Sequence, residues 1–153
     1  DTRKTTPNFR ICEKWAVKIG GGENHRYGLY DMILLKDNHV DYAGGIKNAI
    51  ESTQKYLKNL NKDLKIEIET RTIQEVIEVM EVGGVDIIML DNMLPSMMQE
   101  ALRIINKKYK TEASGGITEK SIKEIAETGV DYISVGALTH SYQSLDLSLK
   151  AIN

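Results

Sequence analysis

Lys36, Glu69 and Asp91 each close a short apolar run, and each can hold or offset charge. Lys36 ends Met32-Ile33-Leu34-Leu35, Glu69 ends Ile66-Glu67-Ile68, and Asp91 ends Ile87-Ile88-Met89-Leu90. Carboxylates at such positions can hold Mg²⁺ through oxygen ligands or stabilise a cationic transition state. Two further runs end in glycine turns, Ser114-Gly115-Gly116 and Gly136-Ala137-Leu138-Thr139-His140. Backbone N–H groups in such turns can cradle a phosphate. Tight β-α connections also need glycine for their own sake, so both readings stand here. The basic elements are Arg3-Lys4 and His25-Arg26. Arginine forks bind carboxylates bidentately and lysine binds as a point charge, although surface loops carry such residues without any ligand.

These groups need elements to bring them together. The stop points Glu69, Asp91, Ser114 and Gly136 are 22, 23 and 22 residues apart. A strand, a helix and two turns fit that pitch, which predicts serial β-α units and a parallel sheet. Active sites of parallel α/β folds lie at the C-terminal ends of the strands. Alternation then puts Ile66 and Ile68 toward the helices and Glu67 and Glu69 inward, with Lys36 on the face of Leu34 and Asp91 on the face of Met89. Taken alone, the two glutamates could equally be solvated on a half-exposed edge strand.

Asp1–Lys4 reads as the tail of a strand whose body is missing. The spacing predicts strands over Met32–Lys36, Lys65–Glu69, Asp86–Leu90, Thr111–Ala113 and Asp131–Val135. A first helix over 8–19 would bury Ile11, Trp15 and Ile19 on one face. A second runs from near Ala43 to Leu60, followed by Ile73–Val82 and Pro95–Lys107. A helix capped by Thr118 runs to about Thr128. Leu145, Leu147 and Leu149 alternate, as in a final extended segment. With its opening fragment the sheet would have six parallel strands, two fewer than a closed barrel's eight. The expected fold is therefore α/β, an incomplete parallel β/α barrel, with an open doubly wound sheet as the competing architecture.

The chain has 153 residues, a size at which one domain can bury a real core. A net charge of −2 argues against nucleic acid as the default partner, although residues 1–26 form a locally basic zone. No run approaches the roughly 20 apolar residues of a membrane span, and no signal peptide is visible. Cys12 is the lone cysteine, which excludes an internal disulfide, fits a reducing, cytoplasmic setting, and is expected to pack within its helix. His39 and His140 read as structural. No two histidines stand at a metal-ligand spacing, which argues against zinc.

DTRKTTP, GGGENHRYGLYDMILLKDNH, IEIET, IIMLDN, EASGGIT and DYISVGALTHS together resemble the quinolinate phosphoribosyltransferase family. The motifs run in family order over nearly the whole chain, residues 1–153 forming its catalytic barrel domain, truncated on the N-terminal side. Asn8 departs from the usual glycine, a difference expected to matter little at a helix start. The resemblance implies transfer of phosphoribosyl from phosphoribosyl pyrophosphate to quinolinate with decarboxylation. The products are nicotinate mononucleotide, pyrophosphate and CO₂, a step of de novo NAD biosynthesis using Mg²⁺. It implies an N-terminal sandwich domain absent from this chain, and homodimers in which that domain covers the partner's barrel mouth. By the same resemblance, Arg3, His25, Arg26 and Lys36 take quinolinate. Lys4 lies near pyrophosphate and the departing carboxylate, Glu69 and Asp91 near the ribose and metal, and Ser114, Gly115, Gly116, Gly136 and His140 around the 5′-phosphate. Lys4, Lys36, Glu69 and Asp91 are the catalytic candidates. A non-catalytic phosphate-ligand-binding barrel is the alternative from another class, and an enzyme for another pyridine carboxylate a third.

Overall fold

A computed structural model describes residues 1–152. Its centre is a parallel sheet of five strands, β1 (Ile33–Leu35), β2 (Ile66–Thr70), β3 (Ile87–Asp91), β4 (Lys110–Ser114) and β5 (Tyr132–Ile133). Their spatial order is their chain order. A doubly wound sheet reverses its strand order at a switch point, and this one does not. The winding is that of a β/α barrel that does not close.

Helices α1 (Arg10–Ile19), α2 (Asp37–Ala43), α3 (Ile46–Asn59), α4 (Ile73–Val82), α5 (Pro95–Ile105), α6 (Ile122–Glu127) and α7 (Ala137–His140) complete the fold. The core lies between the outer face of the sheet and the helices. Ile66, Ile68, Ile88, Leu90 and Ala113 meet Ile50, Val76, Val79, Met98 and Ile105 there. Helix boundaries follow local chemistry. Thr72 caps α4 by accepting the Glu75 N–H at 3.2 Å, and Pro95 sits in the first turn of α5, where its missing N–H costs nothing.

Several expectations change. Asp1–Lys4 is not a sheet strand. It runs beside β5 through side-chain contacts, the Ser134 hydroxyl donating to the Asp1 carbonyl at 3.1 Å and Thr139 to that of Lys4 at 2.8 Å. β5 has only two residues and pairs with β4 alone among the described residues. The helix expected over 43–60 is α3 and starts only at Ile46, and a separate helix not expected from the sequence, α2, precedes it, the two being parted by Gly44 and Gly45 with φ of +80° and +118°. Thr118 is not a helix cap. A turn joins it to Ser121, and α6 starts only at Ile122. The 145–149 tail joins no strand and lies exposed.

α1 is inverted relative to expectation. Ile11, Trp15 and Ile19 are 66–72% exposed, and Cys12 faces solvent rather than packing. Glu13, Lys14 and Val17 are the buried face. Polar bonds decide this orientation: Glu13 accepts the Thr6 N–H at 2.9 Å, and Lys14 reaches Asp1 at 2.8 Å. Asn8 also does more than start a helix. Its φ of +62° lies in the left-handed region, where asparagine is among the few tolerated side chains and glycine is unstrained.

Candidate active site

A cleft of about 650 Å³ opens at the C-terminal ends of the strands, a volume within the range of small-molecule sites. Arg3, Lys4, His25, Arg26, Lys36, Glu69, Asp91, Ser114, Gly115, Gly116, Gly136 and His140 all line it. Every candidate residue named from the sequence is thus brought to one place. A larger cavity of about 1200 Å³ lies at the opposite ends of the strands, beside Asp86, Lys110 and Asp131, and contains none of them.

The strands do the gathering by alternation. Leu34 pairs with Glu67, Glu69 with Met89, Met89 with Glu112, and Asp91 with Ser114. Of the inward-facing residues, Glu67 and Glu112 are buried beneath the cleft, and Lys36, Glu69, Met89, Asp91 and Ser114 form the mouth layer that lines it. In the mouth layer Lys36 Nζ lies 3.1 Å from Glu69 Oε1, and Glu69 Oε2 takes the Asp37 N–H at 3.4 Å. Asp91 accepts the Ser114 hydroxyl on one oxygen and the Asn92 amide at 2.8 Å on the other.

The cations come from the loop side. Among the described residues, the side chains of Arg3 and Lys4 make no hydrogen bond or ion pair. Arg26 donates to the Met32 carbonyl at 3.2 Å. Burial, followed by the like charge of Arg3, pushes the Arg26 guanidinium below its ordinary value, with Glu67, Asp31 and Glu69 opposing. Positive groups pressed together and short of partners make a site for an anion.

The glycine turns differ in the room around them: only Gly116 has open space where a β-carbon would stand. Gly115 and Gly116 have φ of +95° and +60°. A β-carbon on Gly115 would fall 2.8 Å from the Asn92 nitrogen, and one on Gly136 would strike the His140 ring. The N–H groups of Gly115 and Gly116 serve no turn or loop hydrogen bond among the described residues.

Residues 1–150 match the family model described as quinolinate phosphoribosyl transferase, C-terminal domain. The chain belongs to that family. It is 48% identical to the Arabidopsis thaliana protein named nicotinate-nucleotide pyrophosphorylase [carboxylating], chloroplastic, over 98% of this chain and 47% of that one. The identity is also 48% to quinolinate phosphoribosyltransferase [decarboxylating] 2, mitochondrial, of Nicotiana glauca, with the same coverage. The crystal structure of NadC from Streptococcus pyogenes superposes with a TM-score of 0.89 at 42% identity, covering 99% of this chain and 52% of that one. The chain spans about half the length of the curated relatives it matches.

In this quinolinate phosphoribosyl transferase domain, sequence reasoning missed the residues that hold the loop cations in place. The Asp1 carboxylate accepts from Lys14 at 2.8 Å, Asn24 at 2.6 Å and the His25 N–H at 2.7 Å. Arg10 donates to Thr5, Tyr27 and the Arg3 carbonyl, each at 3.2 Å. The available cue was Val17, which stands at helical spacing from Glu13 and Lys14 and so puts them on the inner face. Glu112 was missed as well, though it alternates with Ser114. His25 Nε2 lies 2.8 Å from Glu67 Oε2 and 3.6 Å from Glu112 Oε1. Burial, then the charge of Glu67, pushes the Glu112 carboxyl up, against the opposing pull of His25. His39 is structural: its Nδ1 takes the Lys36 N–H at 3.0 Å. His140 pairs with Ser141 at 2.7 Å at the cleft rim.

Proposed function

We propose that the protein carrying this chain transfers the phosphoribosyl group of phosphoribosyl pyrophosphate to the ring nitrogen of quinolinate. Pyrophosphate leaves, CO₂ is then lost as the ring carbon takes up a proton from solvent, and nicotinate mononucleotide remains. The observation that carries the reading is a single cleft in which Arg3, Lys4 and Arg26 stand near two carboxylates and two glycine turns. Family membership and 48% identity to relatives of that name support it.

Quinolinate is a dianion, and Arg3, His25, Arg26 and Lys36 would hold its two carboxylates. Lys36 is shared with Glu69, but that pair is nearly half exposed on the lysine side. Such pairs contribute roughly 0–1 kcal/mol, so an incoming carboxylate can compete for the lysine. The ring nitrogen attacks the anomeric carbon as the bond to pyrophosphate breaks, and positive charge develops on the sugar. Glu69 and Asp91 would stabilise that charge, and Lys4 would offset the departing pyrophosphate. Decarboxylation needs no general base, because the electron pair left on the ring carbon sits beside a nitrogen that is now cationic. Ser114 gives its hydroxyl to Asp91, so the 5′-phosphate would rest chiefly on the Gly115 and Gly116 N–H groups, with Gly136 and His140 opposite.

Glu69 and Asp91 offer hard oxygens, the donors that Mg²⁺ takes one or two at a time before completing its shell with water and substrate phosphates. When bound, the ion would offset the charge of the pyrophosphate group. Among the described residues, no helix is long and apolar enough to cross a membrane. We keep a cytoplasmic setting as part of the proposal, to be checked by fractionation, since two relatives are named chloroplastic and mitochondrial. We also propose a homodimer or larger assembly, on the strength of the exposed apolar face of α1.

A competition assay on the full-length protein tests the reading. Quinolinate should be preferred over nicotinate, which lacks one carboxylate, by at least about 10-fold, because each buried charged group left unpaired costs about 1–3 kcal/mol or more. Comparable use of the two acids would overturn it. Ligand binding without turnover would favour the non-catalytic barrel instead.

A further inference from the structure

We propose that Glu67 is a positioning residue for His25: it takes the proton on Nε2, so that Nδ1 is the nitrogen the ring presents to an anion in the cleft. The proposal rests on the quinolinate reading for the anion's identity, though not for the geometry. Glu67 Oε2 lies 2.8 Å from His25 Nε2. Glu67 is fully buried, and its other oxygen has no partner among the described residues. Its backbone is clamped in mid-sheet between Leu34 and Ile87, so it cannot swing away. An ionised carboxylate only accepts hydrogen bonds, which requires the proton to be on Nε2.

The main chain of His25 is held just as firmly. Its N–H goes to Asp1 at 2.7 Å and its carbonyl takes Lys14 at 3.1 Å. Nδ1 has no partner among the described residues, and His25 lines the cleft. With Nε2–H committed below, a second proton on Nδ1 gives an imidazolium that donates to a carboxylate above while Glu67 offsets its charge. Burying a half-satisfied carboxylate is unfavourable, and an apolar side chain would fill this strand position at lower cost. Orienting the imidazole is what the carboxylate adds, as outer partners do for histidines that bind metals. Glu112, at 3.6 Å, is beyond hydrogen-bond range of Nε2.

Two-bond ¹H–¹⁵N spectra of the full-length protein labelled at histidine report the tautomer without any substrate. The expected result is a proton on His25 Nε2 in the wild type, whether or not Nδ1 carries a second. In quinolinate kinetics, Glu67→Leu should raise KM about 10-fold or more while kcat changes less than about 3-fold, since a charge-assisted hydrogen bond that orients the ring is lost. Glu67→Gln, whose amide oxygen can accept the same proton, should restore most of the KM. A wild-type ring protonated only at Nδ1, a stoichiometric metal on His25, Glu67 and Glu112, or a Glu67→Gln variant as poor as Glu67→Leu would each overturn the proposal. If Glu67→Leu does not fold, the wild-type spectrum and Glu67→Gln still decide. The expected tautomer in a protein that turns over no quinolinate would defeat the functional reading and leave the positioning role standing.

Discussion

Asp91 is held by two neutral neighbours, Ser114 and Asn92, whereas Glu69 shares its charge with Lys36 across a partly exposed gap. In the proposed reaction both carboxylates would stabilise the sugar as it becomes cationic. Glu69→Gln and Asp91→Asn in the full-length protein should each lower turnover about 10²–10³-fold with the fold retained, the usual cost of one transition-state electrostatic contact. Near-normal turnover in both variants would remove them from the mechanism. Their positions were readable as residues closing apolar runs. Their partners were not, because Asn92 and Ser114 reach Asp91 only through a turn at φ +52° and a neighbouring strand.

At the scale of elements, the bottom of the sheet uses one device twice. Asp86 accepts the Ile66 N–H at 2.7 Å, and Asp131 accepts the Thr111 N–H at 3.0 Å, each acid tying the start of its own strand to the strand before it. The matching stretches Gly84-Val85-Asp86 and Gly129-Val130-Asp131 carry it, a repeat that strand prediction passed over. Asp131 also takes Lys110 at 2.5 Å and the Thr111 hydroxyl at 3.0 Å. Partial burial pushes its carboxyl up, but the bonds from Lys110 and Thr111 outweigh this and hold it below its ordinary value. A lowered folded-state pKa means stability that is present above the unfolded value and lost as pH falls through the folded one. Asp131→Asn should therefore cost about 1–2 kcal/mol at neutral pH, where charged hydrogen bonds are lost, and progressively less below about pH 4. Urea melts of both proteins across that range check the sign. A deficit that grows on acidification would contradict the assignment.

For the whole molecule, the unpartnered feature is the outer face of α1. Phe9, Ile11, Trp15 and Ile19 are 53–72% exposed along it. An apolar stripe of this kind marks an interaction surface or an aggregation liability. The 153 residues prepared alone should self-associate at micromolar concentration, and Trp15→Glu with Ile19→Glu should return them to monomer without loss of helix content. Light scattering and circular dichroism are sufficient to test this. A wild-type monomer would show that the stripe tolerates water and would withdraw the support it lends to an assembly.

The parallel β/α pitch, the inward alternation of Glu67 and Glu69, and the meeting of Lys36, Glu69 and Asp91 with the two glycine turns were legible from residue order, whereas Arg3, Lys4, His25 and Arg26 read as surface charge until the family resemblance put them in the site. A strand's period of two and a β-α unit's near-constant length leave little freedom in where a strand-ending side chain goes. The orientation of α1 was misread, because Ile11, Trp15 and Ile19 make the stronger apolar stripe, against which Val17 alone is a weak cue, and the inward face is held by polar contacts. Contacts with Asp1, Thr6 and His25, distant along the chain or across a loop, settle that choice. The break at Gly44-Gly45 and the left-handed Asn8 were visible as residue types but not as conformations. The pairing of His25 with Glu67 lies 42 residues apart in sequence. It exists because the sheet brings β2 beneath a loop that no local rule connects to it.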